Sequence, residues 1–420
     1  MHEYHYNENV LYCEETDLHN AVAAYGTPLY VYSKQSLIDH CRHIEQAFDG
    51  TEHRTYYAAK ANANRVVLGI IAREGLGADV GSGGELHLAL EAGFDPRRIT
   101  FSGVGKRDDE IAAGLAADVH AFNVESPEEI EIINTIAGRT GKTARILLRV
   151  NLDIDAGGHA YVSTSTRQNK FGIPWQKAGE ILRWASSLQN IKAMGIHSHI
   201  GSQITREETL RNGAEALNKL VRDLRALNLT IEDLDFGGGF GVQYKGYVQH
   251  PMLPREVPEE ENLSASSMVR AILPSLKETG CRICIQPGRS IVAHSSVLLV
   301  AVVFRKATQD KTFVVVDGGM NDLLRPSLYH SHHQIVPVHL QGMPHEVVDV
   351  VGPLCESGDF LALARPLPRV NRGDLLAVLC TGAYGYVLSS NYNARLRPAE
   401  VLIDGMNMSV IRKRETFDDL

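Results

Sequence analysis

The chain is short of the residues that would place it in several protein classes. Cysteine occurs six times and tryptophan twice in 420 residues, which is too few and too scattered for the disulfide framework of a small secreted domain. Cys281 and Cys284 form a C-x-x-C, but CRICIQ alternates like a strand and sends residues three apart to opposite faces, which argues against a zinc or redox pair. No run of five like charges occurs, and a net charge of −8 offers no basic footprint for nucleic acid. No apolar stretch reaches the length of about 18 residues that a membrane span needs. The first residues, MHEYHYNENVLY, lack the basic start and apolar run of a secretory leader. The expectation is a cytoplasmic protein that binds small molecules and neither nucleic acid nor membrane.

What is present is alternation. SLIDHCRHIEQAF spaces Leu37, Cys41, Ile44 and Phe48 three or four apart, as on one face of a helix. Strand-like RTYYAA, GADV, ITFSG, HAFNVES, ARILLRVN, IKAMGIHSHI, IEDLDF and CRICIQ then alternate with helical stretches. Eight such units over residues 36–286 match a closed (β/α)8 barrel of the TIM type, with an open doubly wound sheet as the alternative. From about Ser295 the valine-rich runs SVLLVAVVFRKA, KTFVVVDGG and DLLAVLC, broken by Gly and Pro, read as a mostly β domain over 287–420. TPLYVYS, within residues 1–35, is a further strand that could pair into it.

In such a barrel, chemistry gathers at the carboxyl ends of the strands. The first strand ends in Lys60, the second in Asp79 before GSGGE, the sixth in HSHIGS, the seventh in DFGGGFG and the eighth in QPGRS. A lysine closing an apolar strand is expected to be desolvated, and a neutral amine can form a Schiff base. The strand alone favours the plainer reading, a lysine that reaches solvent or pairs with a carboxylate. Glycine lets backbone amides approach an anion such as phosphate, though a tight turn alone would also explain DFGGGFG. His197 and His199 share strand parity, but two histidines without a third ligand do not make a metal site, and none is expected. Ser202 could add a hydroxyl to the same anion.

Taken together, YAAKAN, DVGSGGEL, QNKFGI, HSHIGSQ, DFGGGFG, PGRSIV, CESGD and AYGYVLSSNYNARLRPAEVL resemble the fold type III pyridoxal-phosphate enzymes, which share the alanine-racemase-like barrel plus β domain. Among these, the resemblance is to the diaminopimelate decarboxylase family, in order from about Leu29 to Ile403. It implies pyridoxal phosphate as cofactor and decarboxylation of meso-2,6-diaminopimelate to L-lysine. By the same resemblance Lys60 would tether the cofactor and His199 would stack on its ring. Asp79 lies among the cofactor-binding positions, and Ser202, Gly238, Gly239, Gly288, Arg289 and Tyr384 would hold the phosphate. Arg289, Arg325, Tyr329 and Tyr384 would contact the substrate, with the arginines on its distal carboxylate. Glu356 would take its distal ammonium, and Cys355 would be the proton donor. The family completes its site across a homodimer, the partner subunit supplying CESGD.

One position departs from that pattern. The family reads Glu before PGR, where the carboxylate pairs with the protonated ring nitrogen, and this chain has Gln286. An amide carries no charge, so ring protonation is expected to be less favoured, and Gln286→Glu to raise the decarboxylation rate. Rival readings are a decarboxylase of another diamino acid, a racemase on the same barrel, and a weakly active or non-catalytic cofactor-binding paralogue. Arg325, Tyr329 and Glu356 count against the first; retained Lys60, Cys355 and Glu356 count against the last.

Overall fold

The computed structural model describes residues 3–154, 169–257 and 263–420. Gln168 of the QNKFGI motif lies outside the described residues. The chain divides into two units, His40–Val242 with Asn262–Ser290, and Met1–Asp39 with Gln243–Glu261 and Ile291–Leu420. Residues 243–261 lie inside the sequence-based barrel span but cluster with the β unit.

The first unit is a closed ring of eight parallel strands: β1 (His53–Ala58), β2 (Gly77–Val80), β3 (Ile99–Phe101), β4 (Ala121–Val124), β5 (Ala144–Asn151), β6 (Ile191–Ser198), β7 (Asp233–Asp235) and β8 (Arg282–Ile285). Each pairs with the next, and β8 pairs with β1, so the sheet has no free edge. Helices intervene where the sequence supplies caps. Asn64, Ser82, Ser126 and Ser264 each accept a backbone N–H of the helix that follows, an arrangement worth about 1 kcal/mol apiece.

Strand register divides the side chains into two faces. Val80, Phe101, Phe122, Ile146, Leu148, Ile196, Leu234 and Ile283 form the outer, apolar face and are all buried. Tyr56, Asp79, Thr100, Asn123, Arg149, His197, Asp235 and Cys284 share the other face. Barrel interiors are usually filled with branched aliphatics. Here the layer near the carboxyl ends is polar and buried, which requires partners for each group.

At the amino end of the strands lies a separate network. Asp233 accepts from Arg282 and from His120 Nε2, the latter at 2.7 Å, while Arg54 donates to His120 Nδ1 at 2.8 Å. Burial holds the His120 imidazole below its ordinary pKa. Removing one member of a buried pair strands the other, at about 3–5 kcal/mol. Asp233→Ala is therefore expected to lose stability of that order, read as a lower denaturant midpoint with unchanged slope.

In the second unit the central strand Ser296–Ala307 pairs antiparallel with Leu29–Ser33, Thr312–Val316 and Leu375–Val378. Leu29–Ser33 also pairs, in parallel, with Ala399–Asp404. The TPLYVYS segment is thus an interior strand of a sheet whose neighbours come from the far end of the chain. Thr312–Val316 continues through His345–Val351 to Phe360–Pro368.

Candidate active site

Lys60 occupies the single-turn helix Ala59–Ala61 that follows β1, and it is exposed. The expectation of a desolvated amine is corrected: the strand stops at Ala58, and the turn carries Lys60 out of the packed layer. Its charge nonetheless reaches the polar layer, because it acts on Asp79, His197 and His199 together. Asp79 is buried at the end of β2. Burial raises its pKa, opposed by Lys60, by the hydroxyls of Ser102 and Thr100, and by Arg149.

His199 stands one residue past β6 and accepts the Gly238 N–H at Nδ1, 3.2 Å away. Burial, then the charges of Lys60 and Arg149, hold its pKa well below the ordinary value. The ring is therefore neutral, with its proton on Nε2. Gly238, expected to give its amide to a phosphate, instead gives it to His199. A Cβ there would meet the Gln286 carbonyl oxygen at 2.3 Å, and one on Gly237, at φ +77°, would meet the Ser198 oxygen at 2.2 Å. These glycines let the loop after β7 lie against the ends of β6 and β8. Gly239, at φ +102°, lies against the Gly201 carbonyl in the same way.

Arg289, directly after Gly288, is buried and donates to Ser202 Oγ at 3.0 Å. Gly288 packs on Ala58 and Ala61, which flank the Lys60 turn. Nine of the expected positions, Lys60, Asp79, His199, Ser202, Gly238, Gly239, Gln286, Gly288 and Arg289, thus gather at the carboxyl ends of β1, β2, β6, β7 and β8.

Three groups in this layer were missed or misjudged from sequence. Asp235 ends β7, fully buried; it accepts the Gly237 N–H and the Gln286 amide N–H, both at 2.8 Å. Arg149 pairs with Glu125 at 2.7 Å and lies over the Phe171 ring. His197, weighed above only as a metal ligand, is 1% exposed, and both ring nitrogens lack a hydrogen-bond partner among the described residues. The available signal was strand parity: all three share the inward face with Asp79. Among the described residues no group of three His, Cys, Asp or Glu side chains is arranged to hold a metal ion.

The β unit carries the remaining expected residues. Buried Arg325 opens the helix Arg325–Tyr329 and donates to Tyr244 Oη at 2.7 Å, His333 Nε2 at 3.1 Å and Ser331 Oγ at 3.3 Å. His333 Nδ1 bonds the Leu379 carbonyl at 2.8 Å, which fixes the tautomer that accepts from Arg325. The half-buried Tyr329 lies on the same short helix. In CESGD, buried Asp359 accepts the N–H groups of Met320 and Leu354 at 2.6 and 2.7 Å, while Cys355 and Glu356 are exposed. Tyr384 adopts φ +55°, a left-handed conformation rare for a bulky residue.

Residues 34–293 match the family model described as the pyridoxal-binding domain of pyridoxal-dependent decarboxylases. The chain is 40% identical over 98% of its length to the diaminopimelate decarboxylase of Aquifex aeolicus, and covers 95% of that protein. This chain belongs to the diaminopimelate decarboxylase family. The family's fold is shared throughout. The Helicobacter pylori diaminopimelate decarboxylase, solved with L-lysine, superposes with a TM-score of 0.88 at 37% identity, covering 96% of this chain and 98% of that one. The M. jannaschii diaminopimelate decarboxylase, also solved with L-lysine, gives 0.90 at 32% identity, with coverages of 99% and 96%.

Pyridoxal phosphate is the cofactor this membership carries. The residues present fit it. The buried His197 imidazole, whose two nitrogens have no partner among the described residues, a loop of glycines too tight for any side chain, and a guanidinium beside a serine hydroxyl form a polar site built for a ligand with an anionic end. Among the described residues no helix is long and apolar enough to cross a membrane.

Proposed function

We propose that this chain decarboxylates meso-2,6-diaminopimelate to L-lysine and carbon dioxide. The observation that carries the reading is Lys60 at the mouth of the barrel, within electrostatic reach of Asp79 and His199, on a chain so similar to known diaminopimelate decarboxylases. When bound, the cofactor supplies an electron-accepting ring for the pair left behind by departing carbon dioxide. Lys60 Nζ would hold the cofactor covalently through its aldehyde carbon. His199, neutral and held by Gly238, offers a flat face for the ring. Ser202, Gly239, Gly288 and Arg289 bind the phosphate, joined by Tyr384.

Arg325 and Tyr329, with Arg289, receive the distal carboxylate; Glu356 receives the distal ammonium, and Cys355 Sγ returns a proton to the reacting carbon. We further propose that Cys355 and Glu356 act in the partner subunit of a homodimer. Their exposure on a loop pinned by Asp359 supports this, since the loop presents them outward. Six free thiols support a reducing, cytoplasmic setting.

Two experiments test the reading. Borohydride reduction of the purified protein, followed by peptide mapping, is expected to leave the pyridoxyl group on Lys60. Mixing Lys60→Ala and Cys355→Ala subunits, each inactive alone, is expected to restore activity, because a hybrid dimer contains one complete site. Absence of rescue in a confirmed hybrid rejects the shared site.

A further inference from the structure

The departure at Gln286 has a physical counterpart in the structure. Gln286 is 6% exposed, and its Nε2 donates to Asp235 Oδ2 at 2.8 Å. Asp235 Oδ1 is already held by the Gly237 N–H at 2.8 Å, so this carboxylate is fixed in orientation from two sides. With Nε2 on Asp235, the Gln286 amide turns its carbonyl oxygen away from that carboxyl. That carbonyl is then an acceptor for a protonated ring nitrogen, which is the contact the family's Glu makes.

We propose that Asp235 is a positioning residue that supplies, through the Gln286 amide, the negative charge that position 286 itself lacks. The inference rests on the reading above that position 286 faces the cofactor's ring nitrogen. One proton is shared across the three groups. With the proton on the ring nitrogen, N–H donates to Gln286 Oε1 and Nε2 donates to ionised Asp235. With the proton on Asp235 Oδ2, the carboxyl O–H donates to Gln286 Oε1, the amide turns end for end, and Nε2 donates to an unprotonated ring. The proton leaves one site as it appears on the other, so total charge is conserved.

The surroundings of Asp235 make the balance sensitive. Burial, then the charges of Asp79 on β2 and Asp233 on its own strand, push its carboxyl up to about 8, against the Gly237 and Gln286 hydrogen bonds. Tyr56 on β1 and Cys284 on β8, both buried, are the other titratable groups coupled to it. A carboxyl so placed ionises readily only when a positive charge stands opposite, and a protonated ring nitrogen is such a charge. The expectation that an uncharged residue at 286 leaves the ring without a counter-charge is thereby revised. In a Gln286→Glu variant, the introduced carboxyl and Asp235 would lie within hydrogen-bond distance and share a proton, so that the pair again carries one negative charge.

The test uses the holoenzyme loaded with cofactor labelled with 15N in the ring. Wild type is expected to show a pyridinium nitrogen. Asp235→Asn is isosteric and keeps the Gly237 bond, but its Nδ2 donates to Gln286 Oε1 and turns the amide nitrogen toward the ring. Its 15N signal is expected to move to the neutral-pyridine position, and kcat to fall about tenfold or more, since one pKa unit is tenfold in protonated fraction. Gln286→Leu, which leaves Asp235 intact, is expected to shift the signal in the same way. In the Gln286→Glu background, Asp235→Asn is expected to have little effect on either readout, because the introduced glutamate then carries the charge itself. A pyridinium signal retained in Asp235→Asn, or no rescue by Gln286→Glu, overturns the relay while leaving the proposed function standing. A borohydride adduct found away from Lys60 in wild type would instead remove the reading on which the relay rests.

Discussion

Lys60→Ala is expected to lower kcat/KM by at least about 10³-fold, or about 4 kcal/mol at 1.36 kcal/mol per tenfold, while leaving the fold intact. The side chain is exposed on a one-turn helix between Ala59 and Ala61, so alanine removes no packing and suits the local conformation. The variant should still bind cofactor through Ser202, Gly239 and Arg289, but borohydride should trap no adduct. One other lysine acts on the same cluster: Lys106, like Lys60, bears on His197. Its side chain is wholly buried, paired with Glu129 and donating to the Gly103 and Asn123 carbonyls at 2.8 Å. An amine held by three acceptors, one of them a carboxylate, is not free to reach an aldehyde. A trapped adduct on Lys106 in wild type, or activity within tenfold of wild type in Lys60→Ala, would reverse the assignment.

The barrel was legible because its outer face is mostly apolar. Phe101, Phe122, Ile146 and Leu234 press on the helices, so each strand reads as a short apolar run and each helix as a 3.6-residue pattern. The chemistry at the strand ends was legible as punctuation, since lysine, histidine and glycine interrupt such runs. The inward face is not legible in the same way. Asp235 and Arg149 alternate with Leu234 and Leu148, and a charge inside a strand looks in sequence like a solvent-facing residue. Only closure of the ring turns that face inward. The segment around Val248 reads in sequence as part of the barrel for a different reason: it has no periodic pattern, and its ties are to distant residues. Val248 exchanges hydrogen bonds with the Gln334 amide, 86 positions away. Nor could spacing reveal that Gln286 works beside a carboxylate, because the pairing of β7 with β8 brings Asp235 to it from 51 positions earlier.

The largest expected change in substrate choice comes from Arg325. Wild type should prefer diaminopimelate over lysine or ornithine by roughly 10⁴, the order reached when a site built to bond a polar group meets an analogue that lacks it. Arg325→Ala should collapse that ratio, chiefly by lowering kcat/KM for diaminopimelate, because its distal carboxylate would be buried without a guanidinium while the shorter rivals lose nothing they used. Arg325→Lys should recover only part of it. The guanidinium donates to Tyr244, His333 and Ser331 at once and lies over the Tyr244 ring, with Cζ 4.7 Å from the centroid. A lysine ammonium has no planar fork with which to satisfy those neighbours and a carboxylate together. Loss of the donor to Tyr244 and His333 also costs stability, about 1–3 kcal/mol for the groups left unsatisfied. Substrate ratios, which are internal to one folded preparation, separate that cost from recognition. If Arg325→Ala keeps the wild-type ratio while its kcat/KM falls equally on every amino acid, Arg325 holds the β unit together and selects nothing.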